Sequence, residues 1–310
     1  MSNDDHSDLP LLRPLSRVQR RLVSSAVEIE ATEPDKVLFQ HTVFCQTGLP
    51  YRNPGDEIRT WQRRQGAARL QIEAGTAFNL DADDFVKVGL PFGPKPRLIL
   101  AYLNAEAVRT GSPDIEVEES LTAFVKRIGL AAKGQNIRLI KDQLARLSAS
   151  QIRLAVAYGD NRARQVNAQI VSGFDLWFPK DDRQRVLWPS QVRLSLDYFE
   201  SLGKHAVPLD ERAIAALSHS AMALDLYAWL AYRLHQVPGR KPYFITWKAL
   251  QDQFGWHYKR IRDFRRVFRD TLQMVLSQYQ AARIEMDEKG MTLRNSPPPI
   301  KGRFAILPKA

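Results

Sequence analysis

The sequence predicts an α+β protein in which one unit occurs twice in tandem, and three observations carry that expectation. An order of helix, strand, helix, helix and hairpin is legible in each half of the chain. Equivalent landmarks keep a nearly constant offset: Ala101 to Ala228 is 127 positions, and Gly129 to Gly255 is 126. Each copy also follows a β-rich lead-in. This element order is that of a winged helix, so two tandem winged-helix domains related by an internal repeat are the most economical architecture.

Residues 1–35 are polar, with acidic runs and prolines but no sustained apolar period, and read as a mobile N-terminal arm. The first unit is expected over 36–180. Its lead-in is VLFQHTVFC (37–45) with ARLQIEAG (68–75), both alternating as strands do. LPFGPKP (90–96), with three prolines, reads as a rigid loop. RLILAYLNAEAVRT (97–110) is a helix and IEVE (115–118) a short strand. SLTAFVKRIGL (120–130) is a helix that Gly129 ends, and KGQNIRLIKDQLARL (133–147) is a third helix. Two β-type runs around a Gly-Asp-Asn turn follow in 151–171.

The second unit, expected over 181–297, has VRLSLDYFESL and HAVPL as its lead-in. LDLYAWLAYRLHQV (224–237) is a helix, YFITW (243–247) a strand, and WKALQDQFGW (247–256) a helix ended by Gly255. A long helix over 258–280 and a hairpin with Glu-Lys-Gly at its turn (282–296) complete it. Residues 298–310 read as a C-terminal tail.

Charge is concentrated where the repeat places the second helix of the pair. The chain has 45 Lys and Arg against 34 Asp and Glu, a net charge of +11. From Trp256 onward there are twelve basic and five acidic residues, which is +7 of that total. Such a balance favours a polyanionic partner. At 100° per residue, Ile261, Phe264, Phe268, Leu272, Val275 and Tyr279 share an arc of roughly 80°, the stripe of a helix packed on a core. Lys259, Arg262, Arg265, Arg266 and Arg269 occupy a separate arc of roughly 120°, with Asp263 and Asp270 at its far edge. Five like charges on one flank repel each other unless a partner neutralises them.

In a helix-turn-helix module the second helix enters the major groove, and in winged forms the hairpin reaches flanking phosphate or minor groove. Arg262, Arg265, Arg266 and Arg269 are therefore expected to contact DNA, with Arg262 and Arg266 reaching bases. A guanidinium matches guanine O6 and N7 as a fork, whereas lysine acts as a point charge. Lys259 and the hairpin residues Lys289 and Arg294 are assigned to phosphates. His257 and Tyr258 stand at the helix start, His257 as a polar residue of the cap region. In the first unit Ile137, Ile140, Leu144 and Leu147 form the core stripe, leaving Lys133, Asn136, Arg138 and Lys141 either as contacts or as a plain surface face. Arg162 and Arg164 flank the hairpin turn there, within reach of a DNA backbone.

Other function classes lack their residues. One cysteine, Cys45, excludes an intramolecular disulfide and a cysteine-based zinc site, and it reads as a small buried hydrophobe. No GxxxxGK[ST] phosphate loop and no H-x-H pair occurs. His257-Tyr-Lys-Arg260 with Tyr279 downstream resembles a tyrosine-recombinase fragment, but Tyr279 falls in the buried stripe and Arg260 off the basic arc. The expectation is no enzyme activity, no cofactor and no metal. The acidic N-terminus is unlike a signal peptide, and the most apolar run, AMALDLYAWLAYRL, is broken by Asp225, so a soluble cytoplasmic protein without a membrane partner is expected. A membrane-surface role for the basic face is disfavoured because the adjacent apolar stripe is needed for the core.

Several segments resemble the plasmid-encoded RepA family of bacterial replication initiators. They are LPYRNP (49–54), Trp61, Arg64 and Gly66 in TWQRRQGAARLQIEAG, LPFGPKPRLIL (90–100), SLTAFVKRIGL and GQNIRLIKDQLARL. They span Leu49 to Leu147, and the second half is similar mainly in element order. The resemblance implies binding to repeated sites (iterons) in double-stranded plasmid origin DNA, opening of the adjacent duplex with the host replication initiator, and recruitment of the replicative helicase. It also implies homodimers, formed through the first unit, that repress the protein's own gene. A winged-helix transcriptional repressor without an initiation role shares the same chemistry and is the alternative.

Overall fold

In chain order the computed structural model, which describes residues 14–79, 83–117, 121–158, 162–168, 170–174 and 190–300, begins with α1 (Arg17–Ala31), β1 (Val37–His41), α2 (Thr42–Thr47), β2 (Thr60–Gln65) and β3 (Ala68–Glu73). Next come β4 (Thr76–Asn79), β5 (Asp84–Lys87), α3 (Pro94–Thr110), β6 (Asp114–Val117), α4 (Leu121–Arg127) and α5 (Gly134–Ala149). The strands β7 (Gln151–Tyr158), β8 (Arg162–Ala168), β9 (Val171–Phe174) and β10 (Ser190–Leu194) lead to α6 (Leu196–His205) and β11 (Ala206–Asp210). The chain closes with α7 (Glu211–Leu217), α8 (Ala221–Arg233), β12 (Tyr243–Thr246), α9 (Trp247–Phe254), α10 (Ile261–Gln278), β13 (Ile284–Met286) and β14 (Gly290–Leu293). The fold is α+β, as expected.

The second half keeps one unbroken order: α8, β12, α9, α10, then the β13–β14 hairpin. Its strands pair in the order β12–β14–β13, with Thr246 opposite Gly290 and Met286 opposite Met291. Trp247, Phe254, Phe264 and Phe268 stack beneath them with ring centroids 5.3 to 6.5 Å apart. Gly255 caps the end of α9, and a Cβ there would overlap the Phe264 ring.

The first half has the same order, with α5 beginning 127 positions before α10, but its strands pair differently. Strand β6 joins β10, not the β7–β8 hairpin. That hairpin instead continues a sheet of order β2–β3–β7–β8. The cause lies in chain length: residues 48–93 separate α2 from α3, whereas only 218–220 separate α7 from α8, and the longer stretch supplies β2 and β3. The repeat therefore holds in element order and not in strand pairing.

The halves meet through their lead-ins. Strands β1 and β11 pair antiparallel, Val37 opposite Asp210 and His41 opposite Ala206. Each ends at a residue that caps the next helix: Val43 N–H donates to His41 Nδ1 at 3.2 Å, and Arg212 N–H to Asp210 Oδ1 at 2.9 Å. VLFQHTVFC is thus half strand and half helix, a correction to the strand expected there, and Cys45 is buried on α2.

Residues 17–31, expected as part of a mobile arm, form α1. Ser16 and Gln19 make a reciprocal capping box at its start. The helix docks against α7 and α10 through main-chain carbonyls: the Gln278 and Gln280 amides donate to Leu22 O and Ala26 O at 2.9 and 3.2 Å, and Arg21 donates to Ala216 O at 2.9 Å. Residues 301–310, most of the expected tail, lie outside the described residues, and Ile300 just before them is buried.

Candidate nucleic-acid interface

Helix α10 is two-faced. Phe264, Phe268, Leu272, Val275 and Tyr279 are buried. The helix starts at Ile261 with Arg260 at the N-cap, three residues later than the spacing suggested, and Ile261 itself is 37% exposed. The Tyr279 hydroxyl donates to Pro297 O at 2.6 Å, a packing role.

On the other flank Lys259, Arg262 and Arg266 are exposed and make no ion pair among the described residues. Asp263, in the first turn of the helix, is engaged by Arg260 at 2.8 Å. Arg265 and Arg269 have a fixed place: their guanidiniums lie over the Trp247 ring, 5.3 and 5.2 Å from its centroid. The four arginines line an open groove of about 370 Å³ with Ile261 and Asp270.

Trp247 also holds the hairpin. Its indole N–H donates to Asp287 O at 3.0 Å, and its amide donates to Lys289 O at 3.2 Å. The Asp287 carboxylate accepts from the Lys289 and Gly290 amides at 2.7 and 2.8 Å, closing the turn. Lys289 is thus exposed at a turn seated on the residue that carries Arg265 and Arg269. Arg294, grouped with Lys289 in the sequence, is not beside it. It follows the far end of β14, and its guanidinium forks onto Glu285 at 2.8 and 3.2 Å, which holds the Glu285 carboxyl below its ordinary value.

His257 and Tyr258 belong to an aromatic cluster before α10. His257 packs 4.2 Å from Tyr258, 5.1 Å from Trp256 and edge-on to Tyr51 at 5.6 Å, centroid to centroid. Burial, then the charge of Arg52, pushes the His257 imidazole below its ordinary value. Burial raises the Tyr258 phenol, opposed by Arg52 and Arg266. Sequence reading passed over Tyr51, Trp61 and Trp247 as contributors here, because every one of these contacts except those within 256–258 is between segments far apart in the chain.

The first unit's equivalent face is thinner. Its core stripe is as expected, with Ile140, Leu144 and Leu147 buried and Ile137 partly so. Lys133 and Arg138 are exposed, but Asn136 donates to Ala131 O at 2.8 Å, and Lys141 is half-buried and already engaged. Arg162 and Arg164 sit on β8 opposite Tyr158 and Val156, and their side chains lie outside the described residues. Among the described residues no cluster of His, Cys, Asp or Glu is grouped to hold a metal, and no helix is long and apolar enough to cross a membrane.

The chain is thus an α+β protein whose second half sets a helix pair, a closing hairpin and a flank of four arginines side by side. The chain belongs to the family described as plasmid encoded RepA protein, whose model matches residues 90–249, from α3 into α9. The matched span stops before α10. Among solved structures the chain is similar to the crystal structure of domains 2 and 3 of RctB, at 10% identity and a TM-score of 0.45, covering 89% of this chain and 98% of that one. A second crystal structure of RctB domains 2–3 has 10% identity and a TM-score of 0.43, covering 86% of this chain and 94% of that one. No curated protein matches.

Proposed function

We infer that the chain is a plasmid replication initiator that binds repeated sites in double-stranded origin DNA through α10 and the β13–β14 turn. In this reading it acts by binding and not by catalysis. It opens the adjacent duplex, brings in the host initiator and the replicative helicase, and represses its own gene as a dimer joined through the first unit. Membership of the RepA family supports the initiator role. The observation that carries the DNA reading is the pair of exposed guanidiniums of Arg262 and Arg266, which make no ion pair among the described residues, beside two more held on Trp247. Preorganised forks of this kind suit guanine edges, each bidentate contact discriminating by about 1 to 3 kcal/mol.

The test is a footprint on the DNA flanking the gene, followed by a replication assay. The protein is expected to protect direct repeats, and the Arg262→Ala/Arg266→Ala variant to fold cooperatively but lose that selectivity. Equal protection by the variant rejects the α10 assignment. A plasmid carrying only this gene and its flanks is expected to replicate. Selective binding without replication, with repression of the gene's promoter, would make the protein a repressor instead.

A further inference from the structure

The segment Leu49–Pro54 belongs to the first half of the chain yet is built into the entrance of α10. Tyr51 lies 5.6 Å from His257 and 6.3 Å from Trp256, and Trp61 of β2 closes on Trp256 at 4.7 Å. Beside them Arg63 donates to the Asp252 and Gln253 carbonyls at 2.7 and 2.8 Å, capping the C-terminal end of α9. From below, the buried Arg97 guanidinium stands 5.2 Å from the Tyr51 ring and donates to Leu49 O at 2.7 Å. The segment is therefore held on both sides, with prolines at 50 and 54 limiting its freedom.

Arg52 follows Tyr51 directly. Its side chain is exposed and has no ion pair among the described residues. Of the acids on α9 and in the first turn of α10, Asp252 is paired with Lys248 and Asp263 with Arg260, each at 2.8 Å, and in the loop itself Asp56 faces Arg146 at 3.5 Å. Because Tyr51 packs on His257 and Trp256, the next residue, Arg52, is carried to the start of α10, close enough for its charge and that of Arg266 to act on the Tyr258 phenol. A rigid loop that carries an unpaired guanidinium up to a flank already crowded with like charges is unfavourable in the free protein, and an anion shared between the two relieves it.

We propose that Arg52 is a further DNA-contacting residue, which grips a backbone phosphate beside the start of α10 and makes the DNA surface a composite of both halves of the chain. This rests on the reading of α10 as the DNA-facing helix. It adds a position that neither the repeat nor the charge run marks, since Arg52 is more than 200 residues from α10. A phosphate contact carries no base information, so its loss weakens all sequences alike and flattens the salt dependence.

The experiment uses the full chain, a duplex bearing the flanking repeat and an unrelated duplex of equal length. Binding is measured over a salt series for wild type, Arg52→Ala and Arg52→Lys. Arg52→Ala is expected to bind both duplexes several-fold more weakly, with a slope of log K against log salt shallower by about one; Arg52→Lys is expected to keep the slope. Phosphate-ethylation interference gives a second readout independent of affinity. One phosphate whose ethylation blocks the wild type is expected to stop mattering for Arg52→Ala. Identical interference patterns and slopes for the two proteins overturn the proposal. If wild type does not distinguish the two duplexes, the initiator reading fails instead, while the slope still reports whether Arg52 meets a phosphate.

Discussion

Arg97 and Asp225 form a fork-to-fork ion pair, Nε to Oδ1 at 2.6 Å and Nη2 to Oδ2 at 2.7 Å, across the contact between α3 and α8. These are the first helices of the two repeated units, so the pair joins equivalent parts of the two halves. Both side chains are nearly out of solvent, at 4% and 11% exposure, and Arg97 also donates to the Gly93 carbonyl at 2.6 Å. Gly48 passes so close that a Cβ on it would overlap the Asp225 carboxylate. The aspartate that interrupts the most apolar run of the sequence is thus the anchor of the inter-unit contact.

Removing one partner strands the other in a dry site. Asp225→Ala is expected to destabilise the protein by about 3 to 5 kcal/mol in urea denaturation. The double variant Arg97→Met/Asp225→Leu is expected to lose much less. If both lose the same amount, the pair matters only through its shape.

Gly255, the C-cap of α9, lies against the first turn of α10. A methyl group there meets the Phe264 ring, so Gly255→Ala is expected to cost about 1 to 3 kcal/mol by overpacking. DNA affinity is expected to fall further than at an equally destabilising site remote from α10, such as Leu147→Ala, because the arginine flank moves with the helix. Equal affinities at matched stability would sink this.

His41 makes stability depend on pH. Burial, with His205 adding like-charge repulsion, lowers its imidazole to about 3 from an ordinary value near 6.5. Between those values the unfolded chain binds a proton that the native protein does not. Stability is therefore fully present above about 6.5 and is lost as pH falls toward 3, at up to about 1.4 kcal/mol per pH unit from this group. His41→Asn keeps an acceptor for the Val43 amide and is expected to flatten that part of the melting-temperature profile; an unchanged slope would assign the acid sensitivity elsewhere.

The two ends of the β13–β14 hairpin should behave differently. Lys289→Ala is expected to reduce the salt slope of DNA binding by about one while leaving sequence preference alone. Arg294→Ala is expected to leave binding unchanged, because its guanidinium is occupied by Glu285. A filter-binding salt series on both variants distinguishes them, and a larger effect from Arg294 would reverse the assignment.

What was legible in the sequence was local. The division of α10 into a buried stripe and a basic flank needs only the helix period. The end of α4 at Gly129, in the left-handed region at φ 79°, and the end of α9 at Gly255 need only a few residues around them. The pieces that escaped are those fixed by distant partners. Helix α1 turns Leu22 and Ser25, with Val18 and Ile29 partly buried, toward the core; that helical spacing is short and lies among charged residues, and long-range hydrogen bonds that use main-chain carbonyls hold the helix in place. Strand β6 has the length and place of a wing strand, yet β10 takes its edge. Arg294 and Lys289 look alike in sequence, and only the neighbouring Glu285 separates them. Trp247 reads as an ordinary core aromatic, whereas its ring face and indole N–H tie the arginine flank to the hairpin turn.

The pairing of β1 with β11 has a consequence for biosynthesis. Residues 37–41 leave the ribosome long before residues 206–210 do, so for much of translation the first strand has no partner along this edge. An unpaired edge next to the apolar α2 segment invites association with other nascent chains. Closing it requires contacts between residues about 170 positions apart, a non-local step of the kind that slows folding. The late arrival of β11 makes completion of the first half wait on the second, so truncated chains that end before residue 206 are expected to aggregate even though the first unit's own helices and hairpin are intact.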